Sequence, residues 1–203
     1  NANIGTSSDE ADISDELEKL RVSVEYGADT VMDLSIGQDI SGIRRAVLKA
    51  STVPVGTVPI YQAAQEATRR KGTFLKMTAD GLLAVIQEQA EDGVDFMTIH
   101  AGVTRKTVSL VKKGKRILDI VSRGGAILTS WMAHHKKENP LYECFDKILE
   151  IAYNYDITLS LGDGLRPGSI LDATDAAQLG ELRLLGKLAR RAQEKKVQVI
   201  IEG

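Results

Sequence analysis

The chain has 203 residues, 43% of them apolar and 27% charged, with a formal net charge of −2. That balance excludes a disordered chain, and the absence of a basic stripe argues against a nucleic-acid partner. No apolar run is long enough to span a bilayer and no signal peptide is visible, which argues against a membrane partner.

Read in chain order, the sequence alternates between two periodicities. A first strand begins near Asn1 and ends in Asn3. Ser8-Asp9-Glu10 then reads as a helix cap with early acids. The helix itself is carried by Ile13, Leu17, Leu20 and Val24, spaced three and four apart. Gly27-Ala28-Asp29 stops it, and residues 30–34 form a β-branched run. A second such run covers 53–60. Thr78-Ala79-Asp80 opens a helix carried by Leu82, Leu83, Val85, Ile86 and Ala90. Gly93-Val94-Asp95 ends that helix before the run 96–99. The cations Lys112, Lys113, Lys115 and Arg116 read as a solvated helix start, and 117–121 as a further strand. The adjacent His134 and His135 point to different helix faces and make a poor chelating pair. Tyr155-Asp156 precedes the run 157–161. A helix carried by Leu179, Leu182, Leu185, Leu188 and Ala189 leads through Lys196 to the run 197–201.

Runs that are apolar on both faces suit strands buried in a parallel sheet. About seven strands, spaced roughly 25–40 residues apart, fit βα units. The expected fold is α/β, a TIM-type (β/α)8 barrel, truncated, with about seven of its eight strands present. The competing open, doubly wound sheet wants a turn such as GxGxxG after the first strand, and Asn3-Ile4-Gly5-Thr6-Ser7 is not one. The chain does not begin with Met and it ends on a strand-like run. Residues 1–203 are therefore expected to be a barrel core, incomplete at both ends.

A barrel carries its site at the C-terminal ends of its strands. There the sequence offers Asn3, Met32 with Asp33, Tyr61, His100, Ser122-Arg123-Gly124-Gly125, Asp163-Gly164-Leu165-Arg166 and Glu202. Taken singly, several have ordinary readings. Asn3 can satisfy loop backbone, Met32 can be core packing, and Tyr61 can be a wall residue. His100 is either a satisfied strand-end histidine or an acid, base or ligand. The turn at 122–125 is more specific, because serine, arginine and glycine amides at a helix start suit a phosphate. So is the loop from Gly162 to Ser169, with its three glycines, a proline, an acid and an arginine that can grip phosphate. Glu202 can act as a general base or accept from a substrate N–H. The set suits a small phosphorylated molecule bearing a polar ring. No strand end carries a lysine for Schiff-base chemistry.

Several segments resemble the phosphomethylpyrimidine synthase family. They are 1–7 (NANIGTS), 27–34 (GADTVMDL), 53–62 (VPVGTVPIYQ), 98–103 (TIHAGV), 121–125 (VSRGG), 160–170 (SLGDGLRPGSI) and 197–203 (VQVIIEG). The resemblance implies a radical S-adenosylmethionine enzyme of thiamine biosynthesis. Such an enzyme converts aminoimidazole ribonucleotide to hydroxymethylpyrimidine phosphate, releasing carbon monoxide and formate. It implies substrate contacts at Asn3, Met32, Tyr61, His100, Ser122, Arg123, Gly124, Asp163, Gly164, Leu165, Arg166 and Glu202, with His100 and Glu202 as catalytic candidates. It also implies a [4Fe–4S] cluster, S-adenosylmethionine, zinc or another divalent metal, an electron donor such as flavodoxin or ferredoxin, and a cytoplasmic homodimer.

The family continues after Glu202-Gly203 with a metal-binding Pro-Gly-His and, later, a CxxCxxxxC cluster motif. None of these lies in this chain, whose one cysteine is Cys144. One cysteine also points to a reducing compartment. The chain is thus expected to lack the iron–sulfur domain, to hold no metal ligands and to be inactive alone. DLSIG at 33–37 departs from the family's DLSTG, and 104–116 and 131–146 suggest one branch of the family. A related branch makes 5-hydroxybenzimidazole from the same nucleotide. A non-catalytic nucleotide-binding barrel is the alternative from another class.

Overall fold

The computed structural model describes residues 1–7, 9 and 11–203. Ser8 and Glu10 lie outside the described residues. In chain order the strands are β1 (Ala2–Ile4), β2 (Val31–Asp33), β3 (Val55–Thr57), β4 (Phe96–Ile99), β5 (Thr158–Leu161) and β6 (Val199–Ile201). The helices are α1 (Ile13–Glu25), α2 (Ile40–Ala50), α3 (Pro59–Lys71), α4 (Ala79–Glu91), α5 (Arg105–Gly114), α6 (Arg123–His135), α7 (Pro140–Glu143), α8 (Phe145–Asn154) and α9 (Ala176–Glu194). Single 3-10 turns sit at Phe74–Lys76 and Ile170–Asp172.

Every strand pair is parallel, and each strand lies beside its sequence neighbours in the order β1-β2-β3-β4-β5-β6. The sheet is open, with β1 and β6 as its edges. Among the described residues six strands form where about seven of a truncated eight-stranded barrel are expected, and the sheet they make is not closed. The missing one is the run 117–121. There Ile117, Leu118 and Val121 are 61%, 44% and 43% exposed, and the amides of Ile117 and Leu118 are taken by the Asp172 carboxylate at 2.8 and 2.9 Å. Backbone donors spent on a side chain cannot build a ladder, so β4 pairs directly with β5.

Three boundaries also differ. The third strand is shorter than 53–60, because Pro59 sits at the first position of α3, where its missing N–H costs nothing. The cap of α1 is Asp12, whose side chain accepts from the Ser14 amide at 2.8 Å, rather than the Ser8-Asp9-Glu10 run. The cationic run closes α5 instead of opening a helix, with Lys112 and Lys113 in its last turn. Thr78 caps α4 as expected, accepting from the Gly81 amide. Gly27 and Gly93 take φ of 88° and 90° at their joints, and Asp156 and Lys196 take φ of 53° and 61° at theirs. His134 and His135 end α6, where His135 stacks on Trp131 and reaches the Leu75 carbonyl, a packing role.

Alternation along the strands sorts the two faces of the sheet. Ile4, Val31, Val55, Met97, Ile99, Leu159 and Leu161 are buried beneath the helices. Ile4, Val31 and Val55 join Leu20 of α1 and Ile43 and Val47 of α2 in a small core. Met97, Ile99, Leu159 and Leu161 belong to a larger core shared with α3, α4, α6, α8 and α9. The other face carries Asn3, Met32, Thr98 and Ser160. One layer below Thr98, the Phe96 ring covers Gly56, where a Cβ would fall 2.1 Å from it.

Candidate active site

A cavity of about 430 Å³ opens at the C-terminal edge of the sheet. It is lined by Asn3, Met32, Tyr61, His100, Asp163, Arg166 and Glu202, together with Asn1, Leu34, Val58 and Thr98. All six strands or the turns just after them contribute. Met32 reaches the cavity and its neighbour Asp33 does not, because successive strand residues face opposite sides. Asp33 is buried instead and accepts from the Ser35 amide at 2.9 Å.

Burial shifts His100 and Asp163 of the cavity. His100 is 3% exposed and its Nδ1 has no partner. Burial drops its pKa from 6.5 to about 4, against the pull of Glu202. The imidazole is therefore neutral at pH 7. Its backbone carbonyl is held by the Asn139 side chain at 2.9 Å, which also binds the Val103 carbonyl. Glu202 accepts from the Ser160 hydroxyl at 2.6 Å, and the Thr98 hydroxyl stands 3.3 Å from the same oxygen. Asp163 pairs with Arg166 at 3.0 Å. Burial nevertheless raises the Asp163 pKa, with Arg166 opposing.

The turn at 122–124 packs against Tyr61 and His100 of the cavity. Ser122 is buried and caps α6, its Oγ accepting from the Gly125 amide at 3.2 Å. The Arg123 guanidinium lies 5.0 Å from the Tyr61 ring centroid, within reach of a cation–π contact. Burial raises the Tyr61 pKa, with Arg123 opposing. Gly124 itself presses on His100, since a Cβ there would lie 2.5 Å from Cε1. Gly164 approaches Gly125 as closely: a Cβ on Gly125 would be 2.0 Å from the Gly164 carbonyl oxygen. Leu165 is fully buried and points away from solvent.

Of the twelve residues expected at the site, seven line the cavity. Ser122, Arg123, Gly124, Gly164 and Leu165 adjoin it without lining it. Sequence reasoning missed Thr98 and Ser160, which orient Glu202. Their signal was a polar residue at alternate positions of an otherwise apolar strand, visible only once the face is known.

Residues 1–203 match the model of the radical SAM ThiC family. The chain is 59% identical over its full length to the phosphomethylpyrimidine synthase of Thermodesulfovibrio yellowstonii, covering 48% of that protein. Identity is 58% to the phosphomethylpyrimidine synthase of Moorella thermoacetica, of which it covers 47%. The phosphomethylpyrimidine synthase of Thermus thermophilus is 53% identical, with 46% covered. The chain thus spans about half the length of these curated relatives. With a whole-chain match and identities of 53% to 59%, the chain belongs to the radical SAM ThiC family.

Proposed function

We propose that this chain is the nucleotide-binding part of a phosphomethylpyrimidine synthase. Its substrate is aminoimidazole ribonucleotide, and its products are hydroxymethylpyrimidine phosphate, carbon monoxide and formate. One observation carries the reading: seven expected contact residues, from all parts of the sequence, meet in a single cavity of about 430 Å³. That volume lies in the range of small-molecule sites.

In this reading Arg166 grips the phosphate. The Ser122 hydroxyl still has a proton to donate, and the Gly124 amide offers a second donor for a phosphate oxygen. Asp163 and Glu202 accept from ribose hydroxyls or the imidazole amine. Met32 and Tyr61 pack against the ring, and Asn3 closes the cavity from the β1 edge. The neutral imidazole of His100 hydrogen-bonds the substrate or takes up a proton. Two further βα units beside β6 and β1 would turn the open sheet into an eight-stranded barrel.

The residues present do not fit the family's metal groups. Iron–sulfur clusters take several thiolates, and Cys144 is the one cysteine. Among the described residues no group of three or more His, Cys, Asp or Glu could hold a metal. We place the [4Fe–4S] cluster, zinc, the cleavage of S-adenosylmethionine and the flavodoxin or ferredoxin contact outside these residues. A cytoplasmic homodimer is part of the same reading. Among the described residues no helix is long and apolar enough to cross a membrane.

The test is Arg166→Ala in the full-length enzyme, reconstituted anaerobically. The expected result is a KM for the nucleotide raised about 10- to 100-fold, as for loss of a charge-assisted hydrogen bond. Unchanged KM and turnover would overturn the phosphate assignment. Product mass separates the pyrimidine phosphate from 5-hydroxybenzimidazole, and nucleotide binding without turnover would mark a non-catalytic barrel.

A further inference from the structure

The loop that carries Asp163 and Arg166 is held from behind by two charged side chains outside the cavity. Leu165 lies between those two residues, and both its backbone polar groups are taken. Its amide donates to Glu181 Oε2 of α9 at 2.7 Å. Its carbonyl accepts from Arg116 Nη2 at 2.6 Å. Arg116 also reaches the Arg166 carbonyl at 3.4 Å.

Each side chain is itself anchored. Arg116 makes a two-point pair with Asp175, at 2.7 and 2.8 Å, and only 2% of its side chain is exposed. Asp175 caps α9 through the Gln178 amide. Asp172 holds the amides just after Arg116. Glu181 is 2% exposed, and its other oxygen, Oε1, has no partner. Room for it is made by glycine: a Cβ on Gly102 would fall 2.7 Å from Glu181 Cγ.

A carboxyl group buried on a helix face is costly, and leucine or methionine would fill that volume with no desolvation penalty. Burial is felt by the group itself, whose pKa rises to about 7. What Glu181 supplies and an apolar residue cannot is an acceptor for the loop amide. Arg116 supplies the matching donor on the other side of the same residue.

We propose that Glu181 and Arg116 are positioning residues for the substrate, clamping Leu165 so that Asp163 and Arg166 are held toward the cavity. The inference rests on the reading of that cavity as the nucleotide site. Neither clamp residue touches the substrate. Both set the orientation of residues that do, so their loss weakens nucleotide binding more than it weakens other ligands.

The experiment uses the full-length enzyme, with dissociation constants for aminoimidazole ribonucleotide and for S-adenosylmethionine measured separately. Glu181→Met and Arg116→Met keep volume and remove the hydrogen bonds. Glu181→Gln keeps an acceptor. The Met variants are expected to weaken nucleotide binding at least 10-fold and change S-adenosylmethionine binding less than 2-fold, with Glu181→Gln close to the unaltered enzyme. Equal weakening of both ligands, unchanged nucleotide binding, or failure of both Met variants to yield folded protein would overturn the clamp. An unaltered enzyme that does not bind the nucleotide would instead overturn the substrate reading, and the clamp with it.

Discussion

His100 shows how one side chain combines chemistry and stability. Burial holds it neutral with a pKa of about 4, below its ordinary 6.5. A group that resists protonation when folded destabilises the fold as pH falls, from the unfolded pKa down to the folded one. The protein is therefore expected to lose about 3 kcal/mol between pH 6.5 and pH 4 through this residue alone. Glu181, with a raised pKa, acts in the opposite direction over part of that window, so total stability is the wrong quantity to follow. The measurement is urea unfolding of the full-length protein and its His100→Gln variant at both pH values. The gap between them should shift toward the variant at low pH; a constant gap would remove the burial argument. His100 was legible in the sequence as a special strand-end residue. Its neutrality was not, because that depends on Gly124 and Gly162 closing over the ring.

At the scale of elements, helices are tied by polar contacts the sequence does not advertise. Arg44 of α2 is 1% exposed in its side chain, and it reaches Glu88 at 2.9 Å on α4 and Gln62 at 2.7 Å on α3. Its Nε also donates to Asp92 at 2.9 Å, just past α4. Gln89 and Thr57 extend the network to β3. Arg44→Met removes the two closest contacts of Asp92, leaving it Arg45 at 3.7 Å, and leaves the Gln62 carbonyl to Gln89 alone, while Glu88 is exposed enough to recover water. The expected loss is on the order of 3 kcal/mol, read from urea midpoints. The same network fixes the start of α3, which delivers Tyr61 to the cavity. Helix existence was legible from apolar spacing and from caps such as Thr78. The first cap reads at Ser8-Asp9-Glu10, while Asp12 is the residue whose side chain meets the Ser14 amide.

The whole chain is an open sheet whose edges share one cavity, with Asn3 at β1 and Glu202 after β6. The β6 edge leaves Ile200 and Ile201 51% and 43% exposed. With a single cysteine and no metal-ligand cluster among the described residues, these 203 residues are expected to form no deoxyadenosine alone. Chromatography with mass detection, after incubation with S-adenosylmethionine, reductant and nucleotide, checks this. A deoxyadenosine peak above the no-protein control would refute it.

The order of βα units, the parallel sheet and most cavity residues were determined by the sequence alone. Apolar periodicity and glycine stops are local signals, and the motifs at 98–103 and 160–170 carry the site wherever the chain folds. Tertiary structure decided what depends on distant partners. Residues 117–121 have strand-like composition, yet the amides of Ile117 and Leu118 bond a carboxylate more than fifty residues away, at Asp172. Arg116 reads as part of a solvated cationic run and nothing in the sequence singles out Glu181; only packing buries them against the Leu165 backbone. Backbone donors and acceptors carry no sequence signature, so side chains recruited to satisfy them become visible only when the chain is folded.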